Sequence, residues 1–539
     1  VIDFAHGLHG TIALTSGQLS ITGDLSIAGP GENRLSVSGN DASRIFDISN
    51  NATVTIDQVT IANGQIVGGN GGGILNEAGA TLSLDHVLMT GNNALADNGG
   101  VNGGSGGGIE NLGSLTVTES TFINNRASLN STTVASNGGA IDTNGPSLTV
   151  NNSTFSNNQV RGSATGIGIG QGGAISTGGS PATVTSCTFD GNTDFARIAQ
   201  GGAISTDTTP GSPAGLMTIS NSTFTGNQAV GANGANDLLY VSGGEALGGA
   251  IFNFTPLTIT NSTFTDNLAK GGDGGDNSSD GIDFINAGGQ VGSGTGGGVV
   301  NFFSSLTVTN STFTDNQAIG GNSAMGPGGD AAGGGALAAG TNLAGGTTTV
   351  TNVTFVGNEA VGGSGAPGSR GGSGFGGGFY NGIYSTAAVS HALFLDNQAK
   401  GGAGGSGASG GAGAGGAIAN GGGFGDLVVA LIGAGPDNSS LTLDSSTLIF
   451  NVAQGGAGGD GGDGGNGLGG GIYNDTALTL KVTNSAILLN LAQGGEEGKH
   501  GGSDGDGIGG GVYSLGAFTD LFNLIVANDA STSGDNIGP

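Results

Sequence analysis

Apolar and polar residues alternate with period two in short bursts, and the bursts recur in a fixed order. In residues 306–318, LTVTNSTFTDNQA, Leu306 and Val308 alternate with Thr307 and Thr309. That is the pattern of a strand with one buried face. Asn310 offers a turn, after which Ser311 and Phe313 face inward and Thr312 and Thr314 outward. Asp315-Asn316 turns the chain again, and Ala318 points back in. Related phrases begin at Val54, Leu82, Leu115, Leu148, Ala182, Met217, Leu257, Thr348, Ala387, Leu441, Leu480 and Phe518. Between them falls Gly-Gly-(Gly/Ala)-aliphatic-x-Asn, as at 71–76, 248–253 and 469–474, a third short strand with one inward residue such as Ile251 or Ile472. Three strands and three corners close one triangular coil, and stacked coils pair each strand with its equivalents in parallel. The predicted fold is all-β: a right-handed, single-stranded parallel β-helix, a three-sided solenoid. One domain is expected over 1–539, with N-terminal coils at 1–53, repeat coils at 54–530 and a tail at 531–539.

Two columns fix the register. One phrase position holds Phe122, Phe155, Phe189, Phe224, Phe264, Phe313, Phe355 and Phe394, with Met89, Leu448, Ile487 and Ile525 in other copies. Three residues later stands Asn92, Asn125, Asn158, Asn192, Asn227, Asn267, Asn316, Asn358, Asn397, Asn451, Asn490 or Asn528. Stacked asparagines bond amide to amide and satisfy corner backbone groups that burial would leave unpaired. Cys187 takes the place of Ser120, Ser153 and Ser222 and reads as a small inward filler.

Copy starts lie 28 to 54 residues apart, and most of the extra length is glycine-rich. From Gly455 the chain runs GGA GGD GGD GGN, and from Gly401 GGA GGS GAS GGA. A three-residue period without internal hydrogen bonds belongs to the polyproline-II type of helix. Glycine at the shared positions lets such helices bond sideways, so polyglycine-II-like segments along one side of the solenoid are expected. Three inserts carry apolar clusters at 238–241, 282–285 and 427–432, expected to staple the inserts down or to contact another subunit.

Composition narrows the function. Glycine numbers 122, and 39 Asp and Glu face 10 Lys and Arg, a formal charge of −29. Nucleic acid and anionic membrane are excluded as partners, because both need clustered cations. No transmembrane segment is visible, and the composition suits a secreted, extracellular or cell-surface protein. The basic residues are scattered, and the histidines His6, His9, His86, His391 and His500 show no metal spacing beyond His6 and His9 near Asp3. No cofactor is required by any motif. Calcium is the candidate ion, with Asp460, Asp463, Asp504 and Asp506 in glycine-rich turns as its speculative ligands. A carboxylate pair on adjacent coils could in principle hydrolyse glycosides, but the linear sequence does not locate one.

The alternation of Phe-x-x-Asn and Gly-Gly-Ala-Ile, as in Phe224–Asn227 followed by Gly248–Ile251, resembles the chlamydial polymorphic outer-membrane proteins and related bacterial β-helix surface proteins. The resemblance implies a secreted passenger: an adhesin, surface layer or structural fibre. The expectation is therefore a non-enzymatic subunit of a fibre or surface array that self-associates end to end. The alternative is a monomeric adhesin that binds cell-surface polysaccharide, and a polysaccharide lyase or hydrolase ranks last.

Overall fold

The computed structural model describes residues 1–5, 7–97, 104–128, 135–162, 168–206, 215–234, 243–275, 291–302, 304–333, 337–339 (backbone), 347–382, 384–422 and 438–539. The three apolar insert clusters and His6 lie outside them. The chain divides into two compact units, Val1–Ala229 with Ile251–Leu257, and Val230–Ala250 with Thr258–Pro539.

The first unit is a right-handed parallel β-helix. Its first sheet orders Leu25–Ala28, Thr53–Asp57, Thr81–Asp85, Ser114–Thr118 and Ser147–Asn151 as neighbours. The second includes Thr60–Ala62, Leu88–Thr90, Thr121–Ile123 and Thr154–Ser156, and the third Phe46–Ile48, Ile74–Asn76, Ile109–Asn111 and Ile141–Thr143. Each repeat phrase lies squarely on the last: Leu82 pairs with Val54 and Leu115, and Phe122 with Phe155. The second unit repeats the arrangement, with Leu306–Thr309, Thr347–Thr351, Thr386–Ser390 and Ser440–Asp444 as consecutive strands of its first sheet. No helix among the described residues is long and apolar enough to cross a membrane.

The phenylalanine column is one stack in each unit. Ring centroids are 4.8, 4.9 and 4.7 Å apart along Phe122, Phe155, Phe189 and Phe224. Along Phe264, Phe313, Phe355 and Phe394 they are 4.6, 5.3 and 4.5 Å apart. All eight rings are fully buried. The strand repeat of ~4.8 Å imposes this spacing and holds the rings parallel. The asparagines bond from coil to coil. Asn125 Nδ2 donates to Asn158 Oδ1 at 3.0 Å and to the Met89 carbonyl at 3.0 Å, and the Asn125 amide donates to the same Asn158 oxygen at 3.1 Å. The pattern recurs at Asn358, Asn397 and Asn451. Cys187 lies inside the serine column, its amide bonded to Ser222 Oγ at 3.1 Å; burial pushes its thiol up to about 11.

A coil holds more strands than the three expected. The Asn-x-Ala corner is itself a strand: Gln65–Val67, Asn93–Leu95, Arg126–Ser128 and Gln159–Arg161 pair in a fourth sheet. The ends of the inserts make a fifth, with Ala135–Asn137, Ile169–Gln171 and Ile198–Gln200 in the first unit. In the second unit the glycine triplets bond sideways every third residue. Gly362, Gly365, Gly368, Gly371 and Gly374 donate to the carbonyls of Lys400, Ala403, Ser406, Ser409 and Ala412 at 2.8–3.1 Å. A second series links Gly456 to Gly411, Gly411 to Gly402, Gly402 to Gly372, and Gly372 to Gly363. These contacts require glycine: a Cβ on Gly402 would lie 2.0 Å from the Gly363 oxygen. Lateral backbone bonding thus replaces the side-chain pattern that announces the other sheets.

Candidate functional site

The first sheet ends each strand at a corner held in left-handed backbone, with φ of 55° at Gln58, 48° at His86 and 46° at Glu119. Non-glycine residues in that region store strain. In two successive coils an aspartate precedes the corner, and the register sets Asp57 directly against Asp85. His86 lies between carboxylates. Its Nδ1 is 3.0 Å from Asp85 Oδ1 and its Nε2 2.9 Å from Glu119 Oε2. Asp57, Asp85 and His86 bring one ligand atom each within 4.8 Å of one another, the one such trio of His, Cys, Asp and Glu among the described residues. Both His86 nitrogens already face carboxylates, so the trio reads as a proton-sharing group.

The corner is open to solvent: the side chains of Asp85, His86 and Glu119 are 44%, 48% and 51% exposed. Asp57 is half-buried, and its Oδ1 is shielded and without a hydrogen-bond partner. That burial, and the charge of Asp85 beside it, hold the Asp57 carboxyl above the usual carboxylate range. For His86 partial desolvation works downward. The hydrogen bond to Asp85 and the charges of Asp85, Glu119 and Asp57 outweigh it and raise the imidazole. A carboxyl raised by burial beside one engaged by a histidine is a division of environments that acid–base chemistry uses.

A second carboxyl pair is enclosed. Glu110 and Asp142 occupy the variable position of adjacent Gly-Gly-x-Ile-x-(Asn/Thr) strands and are paired in register. They are 4% and 2% exposed. Burial, then Asp142, raises Glu110. Burial lifts Asp142 to about 6 against hydrogen bonds from Ser176, Glu110 and Asn137. Nearby Arg44 donates to the carbonyls of Gly71 and Asn70 and to Gln18 Oε1 at 2.7–2.9 Å. This pair is closed to a polymer, whereas the Asp57–Asp85 pair is open.

The four aspartates expected to hold calcium lie elsewhere. Asp460 Oδ1 meets His500 Nδ1 at 2.5 Å, Asp463 Oδ1 accepts the Ser503 amide at 2.8 Å, and Asp504 Oδ1 accepts the Glu497 amide at 2.9 Å. The Asp506 amide donates to Asn466 Oδ1 at 2.9 Å. Asp463, Asp504 and Asp506 border a cleft of about 450 Å³ with Arg370, and Asp460 is not part of its lining. His9 Nδ1 is 3.1 Å from the Gly7 carbonyl. The Asp57–His86 corner was missed because its members belong to different repeats. The available signal was an aspartate closing the first strand in two consecutive copies.

No family model matches the chain, and no curated protein matches it. Solved structures give likenesses of fold. A mannuronic acid specific polysaccharide family 6 lyase from human gut microbiota is 10% identical, with 81% of each chain covered and a TM-score of 0.32. A periplasmic alginate epimerase is 9% identical, covering 88% of this chain and 84% of its own, with a TM-score of 0.28. A tailspike protein of bacteriophage CBA120 is 11% identical, covering 88% of this chain and 51% of its own, with a TM-score of 0.29. The parallel β-helix part of the sequence resemblance stands, and the polymorphic outer-membrane family is not supported. The comparisons also correct the expectation of a non-enzymatic fibre, array subunit or adhesin, because several similar structures are polysaccharide lyases and epimerases. End-to-end self-association is unsupported. The solenoid aligns carboxylates from different repeats, which the spacing of residues along the chain conceals.

Proposed function

We propose that the protein is a secreted or surface-located glycoside hydrolase acting on polysaccharide at the Asp57–Asp85–His86 corner. The observation that carries this reading is the carboxyl pair on adjacent coils at an open corner, one member held above the usual carboxylate range and the other engaged by His86. Its ligand atoms lie within 4.8 Å.

In this reading Asp57 donates its proton to the leaving glycosidic oxygen. Asp85 attacks the anomeric carbon as that bond breaks, and a water that gives its proton to Asp57 then cleaves the glycosyl ester, which releases the sugar and restores both carboxyls. His86, bonded to Asp85 and backed by Glu119, fixes the Asp85 carboxylate in place. The rigid ranks of the β-helix hold the two carboxyls at a constant separation, as a general acid and its partner require.

The test is release of reducing ends from a polysaccharide panel. Asp57→Asn and Asp85→Asn are expected to lose ~10²-fold or more in rate, and His86→Gln less, with unchanged folding by circular dichroism. Wild-type rates in both aspartate variants would overturn the assignment.

A further inference from the structure

We infer that the polysaccharide taken at this corner carries no acidic groups: it is a neutral or amino-bearing glycan rather than a polyuronate or sulfated chain. The inference rests on the reading above that the corner processes glycans. It also runs against what the likeness to alginate-acting folds would suggest.

The argument is electrostatic and local. The charged groups that act on Asp57 and His86 are Asp85, Glu119 and each other; no guanidinium or ammonium is among them. The unit that holds the corner contains five arginines and no lysine against fifteen Asp and Glu. One of the five, Arg44, is buried, with its donors turned onto the Asn70 and Gly71 carbonyls and Gln18. Arg126 and Arg161 flank a different corner, where burial and each other's charge lower Arg126. A polyuronate brings one negative charge per sugar, which the carboxylates of Asp85 and Glu119 repel. Recognition of carboxylate or sulfate needs a cationic fork, and none of the charged groups that act on Asp57 and His86 supplies one.

The flanks of the corner match hydroxyl-rich sugars instead. Thr55, Ser83 and Thr116 present hydroxyls on the outer face of the first sheet, and Gln58 and Asn152 present amides in the corner column. These groups donate and accept hydrogen bonds without charge, as sugar hydroxyls do. A glycan without uronate also lacks the acidified ring proton that elimination requires, which leaves hydrolysis as the route and agrees with a carboxyl pair as the machinery.

The experiment uses the whole chain in two arms. In the first, the wild type is offered xylan, mixed-linkage glucan, chitosan, alginate and polygalacturonate, and Asp57-dependent release of reducing ends is scored. Release from one or more of the first three and none from the last two is the expected result. Asp57-dependent cleavage of a polyuronate would overturn the inference while leaving the hydrolase reading intact. Absence of Asp57-dependent cleavage of any glycan would overturn the hydrolase reading, and the inference with it. In the second arm, Asp85→Asn binding is measured by titration at about 20 and 200 mM salt. Polyuronate is expected to bind at least tenfold more weakly than the cleaved glycan at the lower salt. The exposed Thr116→Lys change, added to Asp85→Asn, is expected to recover polyuronate binding several-fold. Equal polyuronate binding before the added lysine, or no gain after it, would sink the electrostatic argument.

Discussion

Replacing Asn358 with leucine tests whether the asparagine column holds the coils together. Asn358 Oδ1 accepts from the Asn316 amide at 3.2 Å and from Asn316 Nδ2 at 2.9 Å. Its Nδ2 donates to the Phe313 carbonyl at 3.0 Å and to Asn397 Oδ1 at 2.8 Å. Leucine keeps the branched skeleton of asparagine and is bulkier, so no cavity forms, but all four bonds vanish and their partners stay buried. At about 1 kcal/mol for each bond, the loss is about 4 kcal/mol. Because coils in a solenoid interact with their neighbours, the damage should centre on that coil and the two that flank it. The suitable assay is native-state hydrogen exchange. The amides of Thr312–Thr314, Thr354–Val356 and Leu393–Leu395 should lose protection while strands in the first unit keep theirs. Asn352→Gly is the control. Asn352 is exposed, bonds Asn310 Oδ1 at 2.8 Å and has φ of 56°, which glycine adopts freely. It should stay within ~0.5 kcal/mol of wild type. A loss below ~1 kcal/mol in Asn358→Leu would refute the claim that the column bears the corners.

The buried Glu110–Asp142 pair binds protons more tightly in the folded chain than in the unfolded one, with Asp142 at about 6 against unfolded values of ~4. Stability should therefore be fully present below about pH 4 and fall as pH rises through 6. Urea midpoints across that window should show a shallower fall in Glu110→Gln. A Cβ on Gly170 would lie 1.8 Å from Asp194 Oδ1, and Asp194 Oδ2 accepts the Gln200 amide at 2.7 Å. Gly170→Ala should thus destabilise by ~1–3 kcal/mol, and a double-mutant cycle with Asp194→Ala should recover part of that loss; additive effects would show that the two do not touch. Cys187→Ser places a serine among serines, so its urea midpoint should match wild type, and native Cys187 should react with a thiol reagent only after unfolding.

How much the sequence disclosed depends on whether a feature repeats. Phe313 and Asn316 were legible because each recurs at one phrase position, and repetition reports stacking without coordinates. The Asn-x-Ala strand was read as a corner because one inward alanine makes too short a pattern to announce a strand. The glycine triplets showed their period, but which carbonyl each glycine bonds depends on the neighbouring insert. The calcium aspartates were chosen by local composition, and Asp463 and Asp504 each accept a backbone amide.

The sequence by itself determined the coil, its inward residues and its register, because period-two alternation and a repeated phrase are properties of the chain read in order. Only the tertiary structure decided how closely side chains from different coils approach and how far each is buried. Asp57 and Asp85 are 28 positions apart, yet parallel pairing sets them side by side. Glu119 reaches His86 across another coil boundary. Chemistry depends on distances of a few ångströms, and in a solenoid those distances are set by the rank spacing between coils, which no local pattern in the chain encodes.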